Sequence, residues 1–144
     1  MAAHVILLQI DPYLPATLSQ KILTTHLREE LNFSGLILSD DLRMNAIAHH
    51  YQKILHQRLK SQESSITEEY LKLSTYENYN DDYLIPASLD ALSAGCDILL
   101  SCQSVTKEIK IFRTIAEKLT QDHQFVSEML PKAWRIATHT ITKI

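Results

Sequence analysis

The sequence predicts an α/β fold in which about three parallel strands alternate with helices. Three observations predict it. Short apolar runs occupy residues 3–8 ("AHVILL"), 36–39 ("LILS") and 96–101 ("CDILLS"). The segments after them repeat apolar residues at spacings of three and four, the period of a helix with one buried face. Pro12, Pro15, Asn32 and Gly95 fall at hand-overs between segments, and these residue types break regular structure. Strand–helix alternation implies a parallel sheet covered by helices.

The elements follow in order. "AHVILL" reads as a buried strand and "DPYLPATLS" as a loop. Ser19 is placed as the N-cap of the next helix, with Leu18 and Leu23 as its hydrophobic staple. That helix runs to about Leu31, with Ile22, Leu23, Leu27 and Leu31 on one face, and Asn32 ends it in the left-handed conformation. "LILS" is the second strand. A helix then buries Met44, Ile47, Ala48, Tyr51, Ile54 and Leu55, at offsets that suit a helix and no strand. From about Gln57 to Asp82 the chain turns polar, which predicts an insertion away from the core, helical around Thr67 to Leu73. "PASLDALSAG" is a short helix closed by Gly95, and "CDILLS" is the third strand. Residues 105–120 and about 125–142 are two amphipathic helices.

Bulk properties exclude several function classes. The chain has 144 residues, enough for one domain with a real core. Its net charge is −3 and its Lys and Arg residues are scattered, which argues against a nucleic-acid partner. No apolar run approaches the roughly 18 residues of a membrane span. The start, "MAAHVILLQID", lacks the basic region of a signal peptide. Cys96 and Cys102 flank a strand that holds them apart, so reduced thiols and a cytoplasmic location are expected. With two glycines there is no phosphate-cradling loop.

The chemistry-bearing stretch is "LILSDDLRM", where a strand hands two adjacent carboxylates to a helix. Asp40 is expected just past the C-terminal end of a parallel strand, the rim where αβ barrels gather catalytic groups. Asp41 is expected to cap the following helix. A helix start favours a nearby anion, and an ionised carboxylate is what attack on an anomeric carbon requires. Capping alone and catalysis both fit these residues.

The blocks "MAAHV", "LPATLS", "LREELNFSGLILSDDLRMNAIA" and "ALSAGCDILLSC" resemble, in order, those of family 3 of the glycoside hydrolases. The closest branch is the bacterial β-N-acetylhexosaminidases of peptidoglycan recycling. The resemblance covers most of residues 1–50 and 87–103. It implies a retaining hydrolase of terminal β-linked N-acetylglucosamine on a TIM (β/α)8 barrel. It makes Asp40 the nucleophile and needs no cofactor and no metal. In that branch a histidine with an aspartate partner, on a "KHFPGHG"-like loop, supplies the acid/base. The loop lies upstream of the first block, and this chain does not contain it. A barrel takes about 250 residues, so residues 1–144 are expected to form a single C-terminal part of the barrel, with the polar insertion at about 57–82. The gene would then be split, decaying or read from an alternative start. Two rivals follow. One is a non-catalytic remnant, because losing the acid costs about 10²–10⁴-fold in rate. The other is a subunit that completes a separately encoded N-terminal half-barrel or associates with itself.

The remaining candidates divide between structure and function. His4 either faces the sugar or is a hydrogen-bonded core histidine. Met44 packs into the core or lines the sugar wall. Arg43 is a rim charge, with an anionic peptidoglycan group as an alternative partner. His49 and His56 lie seven apart, but no further ligand completes a zinc set. Ser39 and Ser101 lack an elbow motif or a matched base.

Overall fold

The computed structural model describes residues 1–61, 83–102 and 104–141. The sheet within it has two parallel strands, β1 (Leu38–Asp41) and β2 (Ile98–Leu100). Three were expected. On the other edge of β1 the chain makes one parallel bridge, Ala2 to Ser39. Ala2 donates to the Leu38 carbonyl at 2.7 Å and accepts from the Asp40 amide at 3.0 Å. In that register residue 4 would face Asp41, where β1 ends, so residues 5–8 find no partner on β1; the Val5 carbonyl instead accepts from the Ala16 amide at 2.7 Å and the Leu7 carbonyl from the Ile10 and Asp11 amides at 2.9 Å. They leave the sheet, and Val5, Ile6, Leu7 and Leu8 are 38–68% exposed. An apolar run alone does not make a buried strand; it needs a neighbour long enough to pair with it.

The loop from residue 11 is fixed by a carboxylate the sequence reading did not single out. Asp11 is buried and accepts from the amides of Tyr13 (3.0 Å) and Leu14 (3.2 Å) and from the Ser19 hydroxyl (2.6 Å). Burial alone would raise its pKa, but the Ser19 hydroxyl and the two amides outweigh that and hold it below the ordinary carboxylate range. A 3₁₀ turn (Ala16–Leu18) leads to a π-helix (Lys21–Glu30). The Ser19 hydroxyl accepts from the Ile22 amide at 3.3 Å, close to the predicted capping role. Leu18 and Leu23 are both buried, whereas Leu31, past the helix end, is 61% exposed. Asn32 has φ 52°, the left-handed stop the sequence predicts.

Helix α1 (Asn45–Ser61) follows β1 and buries Ile47 and Ala48. Met44, expected in that core, is 46% exposed because it sits in the turn before the helix. The expected polar insertion begins inside α1; its predicted helix, residues 67–73, lies outside the described residues, as do the side chains of Ile54 and Leu55. Helix α2 (Leu84–Ala94) starts two residues earlier than predicted. Pro86 falls in its first turn, where a missing N–H costs nothing. Gly95 closes it with φ 131°. A Cβ there would meet Thr24 Oγ1 at 3.0 Å and Leu23 Cβ at 3.1 Å, so α2 crosses the π-helix at a point only glycine allows. Helices α3 (Val105–Gln121) and α4 (His123–Ile141) end the described chain. Asp122 between them accepts from the Phe125 amide at 3.0 Å, capping α4.

One core joins these elements: Leu42, Ile47, Leu84, Ala87, Ala91 and Cys96 lie at its centre. Complete burial of Ile47 or Leu84 contributes about 1.5–3 kcal/mol each. Ile37 and Leu42, which flank β1, belong to this core and so fix where its two carboxylates emerge.

Candidate active site

β1 carries an irregularity that the sequence pattern does not reveal. Leu38 pairs with Ile98 and Asp41 with Leu100, so three steps on β1 match two on β2. The extra residue lies between Leu38 and Asp41, on the approach to Asp40. A buried side chain repairs the ladder there: Ser39 Oγ accepts from the Leu100 amide at 2.8 Å. The pairing resumes where the Leu42 amide donates to the Leu100 carbonyl at 3.0 Å. A bulge of this kind bends a strand and re-aims the side chains beside it.

Asp40 and Asp41 are the last two residues of β1, rather than just beyond it, and both are half-buried. Because parallel strands share a direction, this end of β1 lies beside the C-terminal end of β2. Asp40 Oδ1 accepts from the Asp41 amide at 2.9 Å. Among the described residues no cation pairs with Asp40 and its Oδ2 accepts no hydrogen bond. One oxygen is therefore held and the other is open.

Asp41 does different work. It was expected to cap the following helix, but its Oδ1 accepts from the amides of Arg43 and Cys102, each at 3.1 Å. The carboxylate closes the turn before α1 and ties it to the chain leaving β2. A cap is not available to it because α1 begins at Asn45, beyond reach of an Asx turn at Asp41. Arg43 Nη1 adds a bond to the Cys102 carbonyl at 3.3 Å. The charge of Asp41, first among the causes, raises the pKa of the exposed Cys102 thiol.

His4 supports the same corner. Its Nε2 lies 2.9 Å from the Asp41 carbonyl and its Nδ1 2.9 Å from Thr17 Oγ1. A carbonyl only accepts, so Nε2 carries the proton of that bond. Thr17 is fully buried and also lies 3.0 Å from the Ala2 and Ala3 carbonyls. Both imidazole nitrogens are thus spent on the chain. Met44 is brought to the turn beyond Asp41, Asp40 to the strand end, and His4 beneath it. Ser101 Oγ, next to Cys102, is buried with no hydrogen-bond partner among the described residues.

The profile of the glycosyl hydrolase family 3 N terminal domain matches residues 1–136. The chain belongs to this family. The family 3 domain is a TIM-barrel-like α/β fold, to which this chain brings helices and a two-stranded parallel sheet. Over 56 residues the chain is 55% identical to a Beta-hexosaminidase of Nitrosomonas eutropha, a match that spans 39% of the chain and 16% of that protein. Among solved structures it resembles Beta-N-acetylhexosaminidase from Beutenbergia cavernae, at 20% identity and TM-score 0.64, over 96% of the chain and 33% of that protein. It also resembles CbsA from Thermotoga neapolitana, at 23% identity and TM-score 0.60, over 95% of the chain and 23% of that protein. The family 3 chain therefore spans a third or less of the length of these relatives. Among the described residues no three His, Cys, Asp or Glu side chains gather as a metal would require, and no helix is long and apolar enough to cross a membrane.

Proposed function

We propose that this chain is the C-terminal part of a family 3 barrel that acts on terminal β-linked N-acetylglucosamine, with Asp40 as nucleophile. The observation that carries the reading is the position of Asp40 in the "SDDLRM" block at a parallel strand's C-terminal end, with one carboxylate oxygen held and the other open. In retaining hydrolysis the open oxygen attacks the anomeric carbon and a separate acid protonates the leaving oxygen; water then releases the sugar from the glycosyl-enzyme. Asp41 and His4 keep the strand end in place, and Met44 offers an apolar wall beside it. Peptidoglycan fragments are the substrate class, and the two free thiols fit a cytoplasmic location.

A second reading is that the acid comes from an N-terminal half-barrel that docks beside residues 1–8. The exposed Val5, Ile6, Leu7 and Leu8, beside a strand edge that among the described residues is paired only at Ala2, favour this reading. The test is hydrolysis of a chromogenic β-N-acetylglucosaminide by the chain alone and by the chain mixed with a family 3 N-terminal half-barrel, each beside Asp40→Ala. Turnover in either case that Asp40→Ala abolishes supports the proposal. Equal rates in parent and variant sink the nucleophile assignment, and no turnover in either mixture leaves a non-catalytic remnant.

A further inference from the structure

At the opposite end of the strands lies a second built feature. Asp97 directly precedes β2 and its side chain is completely buried. Its Oδ2 accepts from Arg28 Nη2 (2.5 Å) and the Ile37 amide (2.7 Å), and its Oδ1 from Arg135 Nε (2.9 Å) and Nη2 (2.7 Å). Both oxygens are saturated. Beside this knot is a hollow of about 400 Å³, lined by Arg28 and Glu29 of the π-helix, Gly95, and Glu128, Lys132 and Arg135 of α4.

Lys132 is the residue that the knot leaves over. It is only 8% exposed, it lines the hollow, and among the described residues its ammonium has no hydrogen-bond or ion-pair partner. Burial, the largest cause, pushes its pKa down; Asp97 opposes that, and Arg135 and Arg28 add to the lowering. A second donor goes unmet on the same wall, since Arg28 Nε is buried without a partner. Three cations surround one carboxylate, and the acids that could balance them, Glu29 and Glu128, are exposed. Arg28 spends Nη1 on the Phe33 and Gly35 carbonyls and Nη2 on Asp97, and Arg135 spends Nε and Nη2 on Asp97, which leaves the Lys132 ammonium and Arg135 Nη1 without partners among the described residues. An ammonium beside a guanidinium N–H is a donor pair that recognises a phosphoryl oxyanion. The hollow is wider than a bare phosphate and admits the organic part of an ester.

We propose that this hollow binds a phosphoryl group, of free phosphate or of a phosphate monoester, with Lys132 as the principal charge. The site lies away from Asp40, so its occupancy stabilises the chain without touching the reacting sugar. The test titrates the full chain with sodium phosphate, with glycerol phosphate and with sodium chloride at matched ionic strength. It follows the melting midpoint and the ³¹P linewidth. Saturable stabilisation and line broadening by either phosphate, absent with chloride, are expected. Binding of free phosphate alone assigns the hollow to the ion, and binding of both assigns it to the phosphoryl group of an ester as well. Lys132→Met is expected to weaken binding at least tenfold. Should that variant fail to fold, Glu128→Gln, which removes an exposed acid from the mouth, is expected to tighten binding. Equal responses to phosphate and chloride in the folded chain overturn the proposal. So does unchanged affinity in Lys132→Met, or weaker binding in Glu128→Gln.

Discussion

Replacing Asp97 by alanine removes four hydrogen bonds and two ion pairs in one step. Exposure decides the size of the effect. Surface ion pairs contribute about 0–1 kcal/mol. Here the carboxylate is 0% exposed, and the Arg28 and Arg135 side chains 14% and 24%. The rule for buried pairs therefore governs, and stranding the partner charges costs about 3–5 kcal/mol. Against a total stability of about 5–15 kcal/mol, that is about a fifth of it or more. Arg135→Ala is milder, about 1–3 kcal/mol, because Arg28 still neutralises the carboxylate. The two changes share a partner, so the double variant costs less than their sum. Urea unfolding followed by far-ultraviolet circular dichroism measures all three, and the Asp97→Ala deficit should persist at 1 M salt because buried charges are poorly screened. An Asp97→Ala midpoint within about 1 kcal/mol of the parent, at unchanged denaturant slope, refutes the account of this knot.

Three further outcomes are expected. Gly95→Ala places a Cβ at φ 131° against Leu23 and destabilises by about 1–2 kcal/mol, whereas Asn32→Gly, at φ 52°, changes stability little; thermal melts compare the two. Cys102 has a raised pKa, so at a given pH less of it is thiolate and iodoacetamide reacts slowly, the rate rising toward alkaline pH. Asp41→Asn removes the first cause and moves that pH–rate profile to lower pH; an unmoved profile counts against the contact. Pro131 interrupts the hydrogen bonding inside α4, so Pro131→Ala should stabilise the chain by about 1–3 kcal/mol, read as a higher melting midpoint.

What the sequence revealed depended on whether the signal was local. Helices α1 to α4 were legible because each carries its own period, and the ends at Asn32 and Gly95 because each needs an unusual φ. Residues 3–8 were misread as a buried strand because pairing is set by the length of β1, not by the run itself. The strand holding Asp40 was found through its apolar lead-in and its block resemblance. The bulge beneath it was not legible, because a register mismatch is a property of two strands together. Asp97, Arg28 and Lys132 went unnoticed for the same reason: Arg28 is 69 residues from Asp97, and nothing near any of them in sequence marks the cluster.

The two ends of β1 and β2 are clamped by different means. At one, the Ile37 amide donates to a dry, doubly neutralised carboxylate while its carbonyl accepts from the Asp97 and Ile98 amides; at the other, Arg43 and Cys102 share a single oxygen of half-buried Asp41. Fraying consequently has a direction. Amide exchange should be slowest at Ile37 and quicken toward Cys102, so the end carrying Asp40 can breathe while the other stays shut.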